Sequence, residues 1–189
     1  PWGVFGGKRP LVVKGFAANA SPWYQFGVLM QDTGTNPKAV SLGFTTGGTY
    51  RSLTAKNTGW TYGTWNHVVA TYDGTTGRVY VNGVQKGSVA ATGTVTAYAT
   101  PVTIGAFQHL PKTSGNLFKG GIDDVAIFDT ALSAATIGDH YTAATTPAGA
   151  PPGLTCPDPL TNNTLGTAAS LAGSVTDRSL CGGEDDWFE

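Results

Sequence analysis

The sequence predicts an all-β protein, an antiparallel β-sandwich with one short C-terminal helix. Two observations carry this. Short apolar and β-branched runs recur along the first two thirds of the chain, each bounded by turn residues such as Asp32-Thr-Gly34, Gly47-Gly48, Asp73-Gly74, Asn82-Gly83 and Gly120-Gly121. The composition agrees: 27 Gly and 11 Pro in 189 residues, 40% hydrophobic residues and only 12% charged ones. That charge content is about half the usual ~25%. It is too apolar for disorder and lacks the Ala, Leu, Glu and Lys of helix bundles.

The runs are Leu11–Lys14, Tyr24–Met30, Ala39–Phe44, Tyr50–Ala55, Trp65–Tyr72, Arg78–Val81, Val102–Phe107 and Leu117–Phe128. The clearest unit is Trp65-Asn-His-Val-Val-Ala-Thr-Tyr72, a Gly-containing turn, Arg78-Val-Tyr-Val81, and then Asn82-Gly83. Alternation puts Val79 and Val81 on one face of the second strand and Arg78 and Tyr80 on the other. Asn-Gly favours a type I′ hairpin, since both central residues need positive φ. The unit therefore reads as a three-stranded meander. Trp65, Val79, Val81, Val125 and Ile127 are the expected core. Near the end of this region Ser133 is placed to cap a short helix through about Tyr141, with Leu132 and Ile137 as its apolar contacts.

Residues 145–155 are rich in Thr, Pro, Ala and Gly and read as a linker. Residues 1–150 contain ten Lys/Arg and six Asp, and residues 151–189 one Arg and six acids, so +4 and −5 sum to the net charge of −1. The basic residues are scattered singly, which argues against a nucleic-acid partner. No apolar run is long enough to span a membrane as a helix. The only cysteines, Cys156 and Cys181, lie in the acidic tail without Cys-x-x-Cys spacing. A disulfide between them is the preferred reading, and two free thiols in a cytosolic protein the alternative. The composition suits an extracellular bacterial protein, and the chain opens on Pro1, as a processed or cut polypeptide would.

The catalytic inventory is thin. Residues 1–183 contain no Glu, and the aspartates form no Asp-x-Asp pair. Glycoside hydrolysis usually needs two carboxylates flanking the bond, so no hydrolytic pair is expected in this chain. His67, His109 and His140 have no helical i, i+4 spacing, and no Gly-x-Ser-x-Gly, phosphate-loop or dinucleotide pattern occurs. Alternation in Ile122-Asp-Asp-Val-Ala-Ile-Phe-Asp129 puts Asp123 on the face of Val125 and Ile127, the expected buried face. A buried carboxylate needs backbone N–H donors or a cation, and a structural Ca²⁺ is the sharper of these readings. Trp23, Tyr24, Trp60 and Tyr62 fall in or beside loops, where aromatic rings can stack on sugars or anchor a protein partner; core packing at a sandwich edge is the competing reading.

Two stretches carry a resemblance. Trp65-Asn-His-Val-Val-Ala-Thr-Tyr-Asp-Gly-Thr-Thr-Gly-Arg-Val-Tyr-Val-Asn-Gly83 resembles the central hairpins of laminin-G-like, concanavalin A-like jelly rolls of bacterial secreted and surface proteins. Phe118-Lys-Gly-Gly-Ile-Asp-Asp-Val-Ala-Ile-Phe-Asp-Thr-Ala-Leu-Ser133 resembles that family's last strand and the helix after it. Family members begin with one or two further strands before the segment matching Leu11–Lys14, so the resemblance implies a sandwich incomplete at its N-terminus. It also favours calcium near Asp123. In the tail, Leu160-Thr-Asn-Asn-Thr-Leu-Gly-Thr-Ala168 with Leu180-Cys-Gly-Gly-Glu-Asp-Asp-Trp-Phe188 is similar to the start of a bacterial pre-peptidase C-terminal domain.

The resulting expectation is a jelly-roll domain over 1–144, a linker over 145–155 and the truncated start of a second β domain over 156–189. The implied function is a non-catalytic extracellular module for a glycan or protein ligand, within a larger secreted or surface protein. The alternative is an accessory domain of a secreted peptidase or glycosidase whose catalytic domain lies elsewhere.

Overall fold

The structure is a computed structural model, and it describes residues 7–15, 21–33, 36–107 and 117–145. Cys156 and Cys181, and the rest of the tail read as a second β domain, lie outside the described residues, as does His109.

Among the described residues, eight strands and one helix follow in order: β1 Lys8–Gly15, β2 Tyr24–Thr33, β3 Asn36–Thr46, β4 Thr49–Ala55, β5 Val68–Tyr72, β6 Thr76–Val81, β7 Val84–Ala90, β8 Val102–Ile104 and α1 Ala134–Thr145. They form two antiparallel sheets, ordered β4-β3-β2-β1-β8 and β5-β6-β7. The second sheet packs on β3 and β4 of the first.

Alternation explains most of this core. On β3, Val40, Leu42 and Phe44 point between the sheets. Ser41 points away and meets the Thr54 hydroxyl at 3.0 Å. Val79 and Val81 on β6 are fully buried in the same inter-sheet cluster, as their spacing predicts. Phe44 meets Tyr72 of β5 across the sheets, with ring centroids 4.8 Å apart. Gly77 makes that approach possible: a Cβ there would lie 2.8 Å from the Phe44 ring.

A second apolar cluster lies beside the first: Val13, Tyr24, Leu29 and Phe107, with Trp23 and Tyr50 against it. Leu11 belongs to the first cluster and Val13 to the second, although period two would put them on one face. The pairing of β1 with β2 slips between Pro10 and Val12, and this bulge at Leu11 reverses the faces.

The turn chemistry follows the sequence. Asn82 and Gly83 have φ of 51° and 76°, as a type I′ turn requires. The turn pairs Val81 with Val84 and opens β7, the third strand of the meander. Asp73 closes the preceding turn by accepting the N–H groups of Thr75 and Thr76 and the Arg78 guanidinium. Those bonds hold the Asp73 carboxyl far below the ordinary carboxylate range. Ser133 caps α1, its Oγ accepting the Thr136 N–H at 3.1 Å, and Ile137 is fully buried.

Three expected strands are shorter or missing. The Trp65–Tyr72 run is a strand only from Val68, because β6 turns away at Asn82-Gly83 and leaves residues 65–67 without a full ladder. Val102–Phe107 ends as a strand at Ile104, where Gly105 takes φ 70°. Leu117–Phe128 is not a strand. Leu117 bridges Ala106 and the Phe118 N–H reaches Gly105, but residues 121–128 join no ladder. Asp124 sits at φ 51°, which breaks the extended run.

The consequence is a correction to the expected core. Val125, Ile127 and Trp65 are exposed, Ile127 to 60% and Trp65 to 73%. With no strand beside them, there is no sheet face on which to bury them.

Candidate functional site

The aromatic residues singled out in the sequence separate into two groups. Tyr24 is buried between β1, β3 and Phe107, its carbonyl accepting the Thr45 hydroxyl. Burial pushes its phenol far above the ordinary value. Trp60 is likewise core: its ring meets Phe118 edge-on at 6.5 Å and it belongs to the inter-sheet cluster. Trp23 is half-buried against the second cluster. Tyr24 and Trp60 offer no open ring face for a ligand, and core packing is the role the structure shows for both.

Tyr62 differs. It is 51% exposed on the loop 56–67 between β4 and β5. Lys38 Nζ lies 5.4 Å from its ring centroid, a cation–π arrangement that props the ring from one side. Thr58, buried in the same loop, ties it to β3 by donating to the Lys38 carbonyl at 2.5 Å.

The same loop carries Trp65, an expected core residue. Asn66 explains its position. The Asn66 side chain accepts the Thr61 N–H at 3.1 Å and donates to the carbonyls of Thr61 at 2.8 Å and Thr64 at 3.0 Å. These bonds close residues 61–66 into a small ring and leave Tyr62 and Trp65 on its rim. The base of the loop is fixed as well, since the His67 N–H donates to Asn82 Oδ1 and the Asn82 N–H to the His67 carbonyl. Trp65 lies against Gly121, where an added Cβ would come within 3.1 Å of its six-membered ring.

Asp123 does not match its expectation of a buried, inward carboxylate. It is exposed, and its Oδ1 accepts the N–H of Asp124 at 2.9 Å. The left-handed backbone at Asp124 moves it off the alternation that the sequence implies. Calcium takes six to eight oxygens. Among the described residues no three acidic, histidine or cysteine side chains converge on Asp123 and Asp124. Asp129 and Asp139 are exposed. Among the described residues no helix is long and apolar enough to cross a membrane.

Two antiparallel sheets packed face to face, with alternating inward residues and a C-terminal helix, define a jelly-roll β-sandwich of the concanavalin A type. Residues 4–138 match the family described as the concanavalin A-like lectin/glucanases superfamily, in its laminin G branch, and the chain belongs to that family. Among solved structures, it is similar to an S-layer domain-containing protein from Clostridium thermocellum at 25% identity and a TM-score of 0.39. The likeness covers 71% of this chain and 63% of that one, so the chain spans less than two thirds of that structure. The comparison with curated proteins finds no match.

The sequence places Tyr62 in a loop, where the structure has it, and reads Trp65 as core, where the structure has it exposed. The signal for Trp65 was available in Asn66, whose type is common at loop closures, but it sat inside an apparently continuous strand.

Proposed function

We propose that this chain is a non-catalytic binding module of a larger bacterial protein, acting at the cell surface or outside it, and that its ligand is a glycan. The observation that carries this is the pair Tyr62 and Trp65, held exposed on a loop that Asn66 immobilises. Rigid aromatic rings present large contact area with little ordering cost, and sugar rings offer apolar faces to stack on them. The laminin-G-like fold and the low-charge, Gly- and Thr-rich composition support the same setting.

The test is affinity electrophoresis and calorimetry of the purified chain against a panel of cell-wall, host and plant polysaccharides. A ligand should be found, and Trp65→Ala should weaken it by about tenfold or more, as anchor residues do. A bound polysaccharide whose affinity is unchanged in the Tyr62→Ala/Trp65→Ala double variant would remove the site.

One observation favours a second reading, a protein ligand added as a strand to β5. The other three sheet edges are protected. β4 carries Arg51, β7 carries Lys86 and a register slip against β6, and β8 is three residues long. β5, Val-Val-Ala-Thr-Tyr, has no charge, proline or bulge and is an edge strand among the described residues. Unprotected edges accept other strands. Under this reading a protein ligand would slow amide exchange along Val68–Tyr72, whereas a glycan on the loop would leave it unchanged.

A further inference from the structure

A cluster beyond the ligand loop joins α1 to the three-stranded sheet. The Tyr141 ring stacks on His67, centroids 6.2 Å apart and planes 25° apart. It also covers the Asn82-Gly83 turn, where an added Cβ on Gly83 would lie 3.1 Å from it. The His67 backbone is fixed at this point, because its N–H and carbonyl are both bonded to Asn82. One residue before Tyr141, His140 tilts against Phe128 at 6.4 Å.

The chemistry of His67 is what makes this contact conditional. Its Nδ1 is buried and has no hydrogen-bond partner among the described residues. Protonation makes both ring nitrogens N–H donors, so the docked helix would bury an unpaired cationic donor. The groups that α1 brings near are His140 and Tyr141, with Asp139 exposed, and the Asn82-Gly83 turn brings no charge. Asp129, next to Phe128, is also exposed. Burial and the charge of His140 both disfavour the cation, and the His67 pKa is lowered accordingly. Among the described residues no carboxylate opposes them.

We propose that His67, His140 and Tyr141 form an acid-sensitive latch, which holds α1 on the β5–β6 framework at neutral pH and releases it on acidification. The sign follows from linkage. A histidine with a lowered folded-state pKa contributes fully above its unfolded value of about 6.5, and that contribution is lost as pH falls below it. The docked and released helix are the two states, and the proton binds the released one better. The latch does not depend on the ligand assignment above.

The test is amide hydrogen exchange of the full chain, corrected for intrinsic rates, between pH 7.5 and 5. In wild type the opening of α1 should rise by up to about tenfold per pH unit below about 6.5, while β2 and β3 stay closed. His67→Phe keeps a stackable ring without a titrating nitrogen and should make α1 opening independent of pH. His140→Asn should make the slope shallower. A slope as steep as wild type in either variant overturns the latch, as does equal loosening of β2 and β3. Should His67→Phe fail to fold, the wild-type His67 ring carbons can be titrated by NMR. A midpoint below about 6.5, coincident with α1 opening, is expected, and one at or above that value overturns the proposal.

Discussion

Val79 and Val81 on β6, and Val125 and Ile127 in segment 121–128, show the same alternation in sequence, yet the first pair is fully buried and the second is exposed. The difference is not in hydrophobicity. β6 has a hydrogen-bonded neighbour on each side and β3 facing it, so its backbone is satisfied and its apolar face is covered. Segment 121–128 has no ladder on either side among the described residues, and Asp124 bends it at φ 51°. Alternation marks a face that could be buried. A partner strand is needed to bury it.

Mutations on the two sides of this comparison should separate widely. The largest effect is expected at the covered side. Phe44 is the largest fully buried side chain among the described residues and packs on Tyr72 and under Gly77. Phe44→Ala should cost about 3–5 kcal/mol by urea unfolding. A loss under ~1 kcal/mol would mean that the inter-sheet core is not the main source of stability.

The helix gives an intermediate case. Ser133→Ala removes the acceptor of the Thr136 N–H and should cost about 1 kcal/mol, read as a lower melting temperature. An unchanged melting curve would show that α1 is held by Ile137 and Tyr141 alone.

The uncovered side should respond least. Ile127→Ala, at a 60% exposed position, should change unfolding by no more than about 0.5 kcal/mol. A loss of 2 kcal/mol or more would show that segment 121–128 is buried in solution, and would break the comparison. Smallest of all is Asp123→Asn, which replaces an exposed acceptor of one backbone N–H. Its melting curve should match wild type, and both should be the same in Ca²⁺ as in EDTA. A calcium-dependent rise abolished by the substitution would restore the calcium reading of this carboxylate.

The candidate site was legible only in part, and for a physical reason. Tyr62 could be read as a loop aromatic because glycines flank its segment on both sides. Trp65 could not, since Trp-Asn-His-Val-Val-Ala-Thr-Tyr is apolar enough to pass for one strand. What separates Trp65 from Val68 is a set of side-chain bonds from Asn66 to Thr61 and Thr64, together with the turn of β6 at Asn82-Gly83. Tyr24 and Trp60 misled in the opposite direction. Both adjoin loops in sequence, and both are drawn into the core by neighbours that are distant in the chain, Tyr24 by Thr45 and Phe107 and Trp60 by Phe118.

Local chemistry was sufficient wherever the deciding partner lies within a few residues. The Asn82-Gly83 turn, the Ser133 cap and the inward valines of β6 all follow from backbone preference and period-two geometry, which the sequence contains in full. The tertiary structure alone decided the rest. Leu11 and Val13 face different clusters because β1 slips against β2, and a bulge is invisible until the pairing strand is known. Asp123 points to water, and Val125 and Ile127 lie open, because no strand flanks them among the described residues. His67 meets Tyr141 across more than seventy residues because α1 returns to the turn after β6. Each of these depends on which surfaces meet in space, and burial is a property of that meeting rather than of any residue by itself.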